Sequence, residues 1–352
     1  MSRLNEAATV AMRDCLGLRS GEEVLILTNF ENPDSFEISR ALFDATKAMG
    51  GKPVIMVQES KTSVDYAENV VLKAMEAAPD IIISISSFKM GKDPYGVHVG
   101  YVGKDGQKYE HIFHRLMHGD RRIRGFWSPG VTKDTFERTV AVDYAEMRSI
   151  AGKLKEVLDS GESVRVTAPA GTDVTFSIKG REAKLDDGDM SAPGSGGNLP
   201  AGEAFISPAN GTAEGVICFD GTMDLITSSP IPEVPVRVVF KDGFVTEVTG
   251  DTTAAKLLEV IKLGEMKARE IGNAEMERNA RNLGEMGIGI NYAARMVGNM
   301  LEDEKVGKTV HFAIGMNYDN DAKAFIHQDC LVKEPSVWVD GRQIMKDGNI
   351  LL

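Results

Sequence analysis

No apolar run in this chain approaches the roughly 18 residues that a membrane-crossing helix needs, and Met1 to Glu6 opens without a leader-like hydrophobic segment. The expectation is a cytoplasmic protein with no membrane partner. Cysteine is scarce: Cys15, Cys218 and Cys330 are the only three, an odd number at unrelated spacings. That argues against a disulfide framework and for buried, reduced thiols. Positive charge is also short, with 40 basic residues against 52 acidic ones and a net charge of −12. Phosphate backbones want clustered Lys and Arg, and the one basic piece, Arg121 to Arg124, is too short to supply them, so no nucleic-acid partner is expected. Neither Gly-x-Gly-x-x-Gly nor Gly-x-x-x-x-Gly-Lys-Ser/Thr occurs, and the turn after the first apolar run reads Asn29-Phe-Glu-Asn-Pro33, acidic rather than glycine-rich. A dinucleotide or nucleoside-triphosphate site is therefore unlooked for.

The 352 residues, 42% of them apolar, are more than one ordinary core requires. Up to about residue 160, apolar runs at 23–28, 52–58, 80–86 and 122–127 alternate with helical periodicity at 4–16, 33–49, 64–78 and 128–158. This pattern predicts βαβ units and an open parallel sheet. From 161 onward short period-two runs take over, beginning with a hairpin through Ala170-Gly-Thr172, with one long charged helix over 253–281 and a closing hairpin at 337–344. The expected fold is thus α/β, with residues 1–160 as an open α/β domain and 161–352 as a β-rich α+β domain. Residues 183–197 read as a polar, glycine-rich loop.

The chemistry gathers near the C-terminus. Val310 to Met316 reads as a buried strand with His311 set into it. Soon after comes His327-Gln-Asp329, which in an extended chain puts an imidazole and a carboxylate on one face. Two histidines and a carboxylate on neighbouring strands suit a divalent metal. Glu203 stands near the start of a strand, and Glu285 heads a glycine-punctuated apolar segment where backbones can approach closely. Each glutamate alone reads as a surface residue. A rival histidine set, His111, His114 and His118, falls on one stripe of a short helix, but no acidic residue is spaced to complete it.

Together, Asn198-Leu-Pro-Ala-Gly-Glu203, Ala213-Glu-Gly, Asn282-Leu-Gly-Glu285 and the His311 and His327 stretches resemble the aminopeptidase T/aminopeptidase S family of metallo-aminopeptidases. The similarity is good over about 160–352 and loose before it. It implies a two-metal centre (two of Zn, Co or Mn) at Glu203, Glu285, His311, Tyr318, His327 and Asp329, a homodimer, and release of N-terminal residues from small peptides. Glu203 and Tyr318 would be the catalytic pair, with Tyr318 either a ligand or a hydrogen-bond donor. The resemblance extends to the 2,5-dihydroxypyridine 5,6-dioxygenases, which use one Fe(II) on a small-molecule substrate. This chain has Glu285 where those enzymes carry an iron-binding histidine. A two-histidine, one-carboxylate iron face would leave Glu203 and Glu285 as surplus buried charges, which are costly. A non-catalytic binding module is a third reading, and the presence of all six residues speaks against it.

Overall fold

The structure is a computed structural model that describes residues 2–62, 64–225 and 228–352. It divides into two compact units, Met1–Ala145 with Gly188–Ala201, and Glu146–Asp187 with Gly202–Leu352.

In chain order the first unit runs α1 (Arg3–Val10), β1 (Glu23–Thr28), α2 (Pro33–Ala48), β2 (Lys52–Val57), α3 (Asn69–Glu76), β3 (Ile81–Ile85), α4 (Pro94–His98), β4 (Tyr101–Val102), β5 (Lys108–Tyr109), α5 (Ile112–His114), β6 (Arg124–Trp127) and α6 (Lys133–Thr139). As the apolar runs predict, β1 pairs in parallel with β2 and β3, and β3 with β6. The central strands β1 and β3 are covered on both faces, so their sequences are almost continuously apolar, whereas edge strand β2 has no fully buried residue. Ile38 and Leu42 of α2 are fully buried, and Leu72, Met75, Phe113 and Met117 belong to the cluster around Leu25 and Ile82. Beside the sheet, Arg124 is buried, forking onto Glu22 at 2.6 and 3.1 Å while its Nε donates to the Leu16 carbonyl at 2.7 Å.

Two helices differ from their periodicity. The 64–78 pattern becomes helical only at Asn69, because the Asp65 carboxylate accepts from the Thr62 N–H and hydroxyl and holds a turn. The 128–158 pattern splits into α6 and α7 (Tyr144–Ser160), since Thr139-Val-Ala-Val is a poor helical run and Asp143 accepts from Ala145 N to start the next helix.

The second unit takes up α7 almost whole, then β7 (Ser163–Thr167), β8 (Asp173–Ser177) and β9 (Lys184–Asp186). The expected break near residue 160 thus compares with a division at the start of α7. The supposed loop at 183–197 holds β9 and then β10 (Gly196–Asn198), which returns to the first unit to pair in parallel with β6. That return is long-range and leaves no local signal.

The chain then stays in the second unit: β11 (Glu203–Ile206), β12 (Glu214–Phe219), β13 (Val236–Lys241), β14 (Phe244–Thr249), α8 (Thr252–Glu270), α9 (Ala274–Asn279), β15 (Leu283–Gly289), α10 (Met300–Asp303), β16 (Thr309–Gly315), β17 (His327–Lys333), β18 (Ser336–Val339), β19 (Arg342–Lys346) and β20 (Asn349–Ile350). They form a five-stranded sheet, β17-β16-β15-β11-β9, and an eight-stranded one, β14-β13-β12-β8-β7-β18-β19-β20. The single long helix expected from the sequence is α8 plus α9, interrupted where Gly272 takes φ +70° and Asn273 caps the next turn. The α8 stripe Leu257, Val260, Ile261, Gly264 and Ala268 is its buried face. All three cysteines are buried thiols. Among the described residues no helix is long and apolar enough to cross a membrane.

Candidate metal centre

Every residue of β15 and of β16 is buried, which fits two neighbouring strands in the middle of the five-stranded sheet. Their register decides what meets. Glu285 lies opposite Ala313, and Ala313 opposite Asp329, so one row across three strands carries two carboxylates flanking an alanine. In the next rows Gly287 faces His311, Gly315 faces His327, and Glu203 of β11 faces Gly289. Small residues alternate with ionisable ones on one face, leaving a hollow into which the polar side chains lean. Gly287 is essential to it, for a Cβ there would lie 2.1 Å from Cε1 and Nε2 of the His311 ring.

The donors fall into two groups that share Glu285. His311 Nε2 is 3.1 Å from Glu285 Oε1 and 3.4 Å from Glu203 Oε2. His327 Nε2 is 3.7 Å from Glu285 Oε2 and 3.4 Å from Asp329 Oδ1. Ligands held about 2.0–2.2 Å from a cation lie roughly 3–3.7 Å apart, the spacing seen here. Glu285, His311 and Asp329 can each offer one donor atom within 4.8 Å of the others, so they could hold a metal ion. Glu203 Oε2, Glu285 Oε2 and Asp329 Oδ1 are buried with no hydrogen-bond partner, and such acceptors normally have one. A cation would satisfy all three, so oxygen-rich donors with two imidazoles fit a divalent metal. His327 Nδ1 faces the Met316 carbonyl at 2.9 Å, which makes Nδ1 the protonated nitrogen and turns Nε2 toward the carboxylates.

The electrostatics agree. Burial works against charge on both imidazoles, yet the carboxylates overcome it. Glu285, Glu203 and Asp329 raise His311 to about 9, and Asp329 and Glu285 raise His327 to about 10. Burial pushes Glu203 up to about 8 against the pull of Lys305. Asp329 is held down at about 2, where His327 outweighs burial. Tyr318 stands at the rim, 46% exposed, with its ring edge-on to His327 at 5.0 Å and to Phe205 at 5.6 Å. Burial and the facing Glu285 and Asp329 raise its phenol, which keeps it protonated at neutral pH.

The structure therefore brings together Glu203, Glu285, His311, His327 and Asp329, with Tyr318 beside them. It adds residues that the sequence pattern passes over. Lys305, 1% exposed, places Nζ 2.6 Å from Glu203 Oε1, 2.8 Å from Asp186 Oδ2 and 2.8 Å from Glu304 Oε1. These lie in stretches, Asp186-Asp187 and Glu302-Asp-Glu-Lys305, that read as solvated charge. The only hint is that a lysine reaches full burial when it is paired.

The rival histidines belong to the first unit and have another setting. His111 caps α5, its Nδ1 accepting from Phe113 N at 3.1 Å, while the His114 and His118 rings stack at 5.8 Å. His111 and His114 line a cavity of about 410 Å³ with Phe88, Phe113 and Trp127. Burial lowers all three histidines, His114 to about 4, which leaves them neutral. They are not among the groups of described residues with metal-ligating spacing.

Residues 131–352 match the family model described as NicX, 2,5-dihydroxypyridine 5,6-dioxygenase. Among solved structures the chain is similar to the 2,5-dihydroxypyridine dioxygenase of Pseudomonas putida KT2440, with 15% identity, all of this chain and 98% of that one covered, and a TM-score of 0.72. It is also similar to wild-type AmpT from Thermus thermophilus, with 17% identity, 99% of each chain covered, and a TM-score of 0.67. At these identities the likeness is one of fold. No curated protein matches the sequence.

Proposed function

The chain belongs to the 2,5-dihydroxypyridine 5,6-dioxygenase family, and within it we propose, from the donor set, a metal-dependent enzyme that releases N-terminal residues from small peptides. The observation that carries the hydrolytic reading is Glu285, which gives one oxygen to each histidine and so splits five donors into two groups. A mononuclear oxygenase face needs two histidines and one carboxylate. Here Glu203 and Glu285 would be left over, two buried carboxylates that each keep one oxygen without a hydrogen-bond donor.

In this reading Glu203, Glu285 and His311 would hold one divalent cation, and Glu285, His327 and Asp329 would hold a second. Such a pair supplies Lewis acidity and an activated water. Glu203, through the oxygen that Lys305 leaves free, would take a proton from that water and return it to the leaving amine. The Tyr318 hydroxyl, still protonated, donates to the oxygen that gains charge at the scissile carbonyl. The small hollow over Gly287, Ala313 and Gly315 favours a small substrate end.

The family match itself favours a second reading, ring-opening of a dihydroxypyridine with one Fe(II) held by His311, His327 and Asp329. One experiment separates the two: bound metal and both activities measured for wild type and Glu203→Gln. The hydrolytic reading expects release of N-terminal residues by the wild type, and loss of a metal equivalent with a fall of about 10²–10⁴ in rate for the variant. A wild type that opens the pyridine ring with one iron, and a variant that keeps that iron, would refute it.

A further inference from the structure

A buried ammonium survives folding only when it is paired and fully hydrogen-bonded. Lys305 meets that requirement: its three N–H donors have three carboxylate acceptors, Asp186 Oδ2 at 2.8 Å, Glu203 Oε1 at 2.6 Å and Glu304 Oε1 at 2.8 Å. An all-oxygen, all-anionic surround of this kind is what a hard divalent cation prefers. The second oxygen of Glu203 points away from the lysine, lies 3.4 Å from His311 Nε2 and has no hydrogen-bond donor.

We propose that Lys305 is a resident cation of the centre, filling a carboxylate-lined cation position and holding Glu203 so that it offers a single oxygen beside His311. Lys305 is in this sense a positioning residue. The assignment rests on reading the neighbouring donors as a metal centre, and is independent of which reaction that centre performs. Charge balance favours it. Asp186, Glu203, Glu285, Glu304 and Asp329 gather five carboxylates in one largely buried cluster. The ammonium offsets one carboxylate permanently, and metal held on neutral imidazoles offsets others whichever reaction is performed. A metal in place of the lysine would leave Glu203 free to swing or bind through both oxygens. The covalently tethered ammonium cannot be lost with metal supply, so the position of Glu203 is fixed before any metal arrives.

The test is Lys305→Ala, with Mn²⁺ as the probe and manganese per chain counted after free ion is removed. The emptied cage should take up one equivalent more than wild type. Without divalent ions the variant should melt below wild type, and either Mn²⁺ or methylammonium should restore it. Asp186→Asn, which keeps the ammonium, should hold the wild-type count. The proposal is overturned if Lys305→Ala keeps native circular dichroism with an unchanged count. A gain of metal by Asp186→Asn would overturn it too, as would failure of Lys305→Ala to fold with both Mn²⁺ and methylammonium present. A wild type that takes up no Mn²⁺ would refute the metal-enzyme reading, and one equivalent gained by Lys305→Ala would still support the lysine.

Discussion

Loading the centre with metal should expel protons, in a number that follows from its geometry. Without metal, buried carboxylates outnumber cations, so the cluster gathers protons: His311 is raised to about 9, His327 to about 10 and Glu203 to about 8. At pH 7 each of these groups holds its proton, and metal ligation needs each without it. Two cations bound at Glu203, Glu285, His311, His327 and Asp329 should therefore displace roughly two to three protons as a coupled set. Apparent affinity should rise with pH and level off above about pH 10. The same raised proton affinities set the stability of metal-free protein. Each folded value lies above its unfolded one, so the folded state binds more protons and stability falls as pH rises. The Glu203 contribution fades between its ordinary 4.5 and about 8, and those of the histidines, full below 6.5, are lost through about 9 and 10. Each tenfold gain in proton affinity is worth about 1.4 kcal/mol, so the histidine loss is on the order of several kcal/mol. Calorimetric titration with Mn²⁺ at pH 7, in buffers of different ionisation enthalpy, counts the protons directly. Release of less than about one proton would refute the reasoning, because it would mean neutral imidazoles and no anionic surround acting on them.

Four further outcomes are expected. His327→Ala should lower metal occupancy and abolish turnover while circular dichroism stays native; full occupancy with wild-type turnover would sink that ligand assignment. Gly287→Ala should displace the His311 ring and weaken metal binding at least tenfold, read by Mn²⁺ titration, because the new methyl group would occupy the ring's place. Arg124→Ala should cost about 3–5 kcal/mol in urea unfolding, since it leaves the partly buried Glu22 without its buried guanidinium partner. Light scattering at micromolar concentration should show a homodimer formed through the β-rich unit, and a monomer would reject that expectation.

The architecture of the first unit was legible because both of its signals are local. Nearly continuous apolar strands such as Ile81–Ile85 and intervening helical stripes can only be buried in a parallel sheet covered on both faces. His327 and Asp329 were legible for a similar reason, since two residues apart on a strand means one face whatever lies around them. Glu203 and Glu285 stood out only through their resemblance to known relatives, because a lone glutamate looks the same whether it meets water or metal. Only the tertiary structure decided the rest. Antiparallel register sets Glu285 and Asp329 on either side of Ala313, a relation across 44 residues that no spacing rule contains. It also carries Lys305 under Glu203, 102 residues away, and sends Gly196–Asn198 back to the first sheet. A sequence fixes which face a side chain takes within its own strand or helix. Which charges end up sharing one dry hollow depends on how strands far apart in the chain are aligned, and that is decided by the burial of everything else they carry.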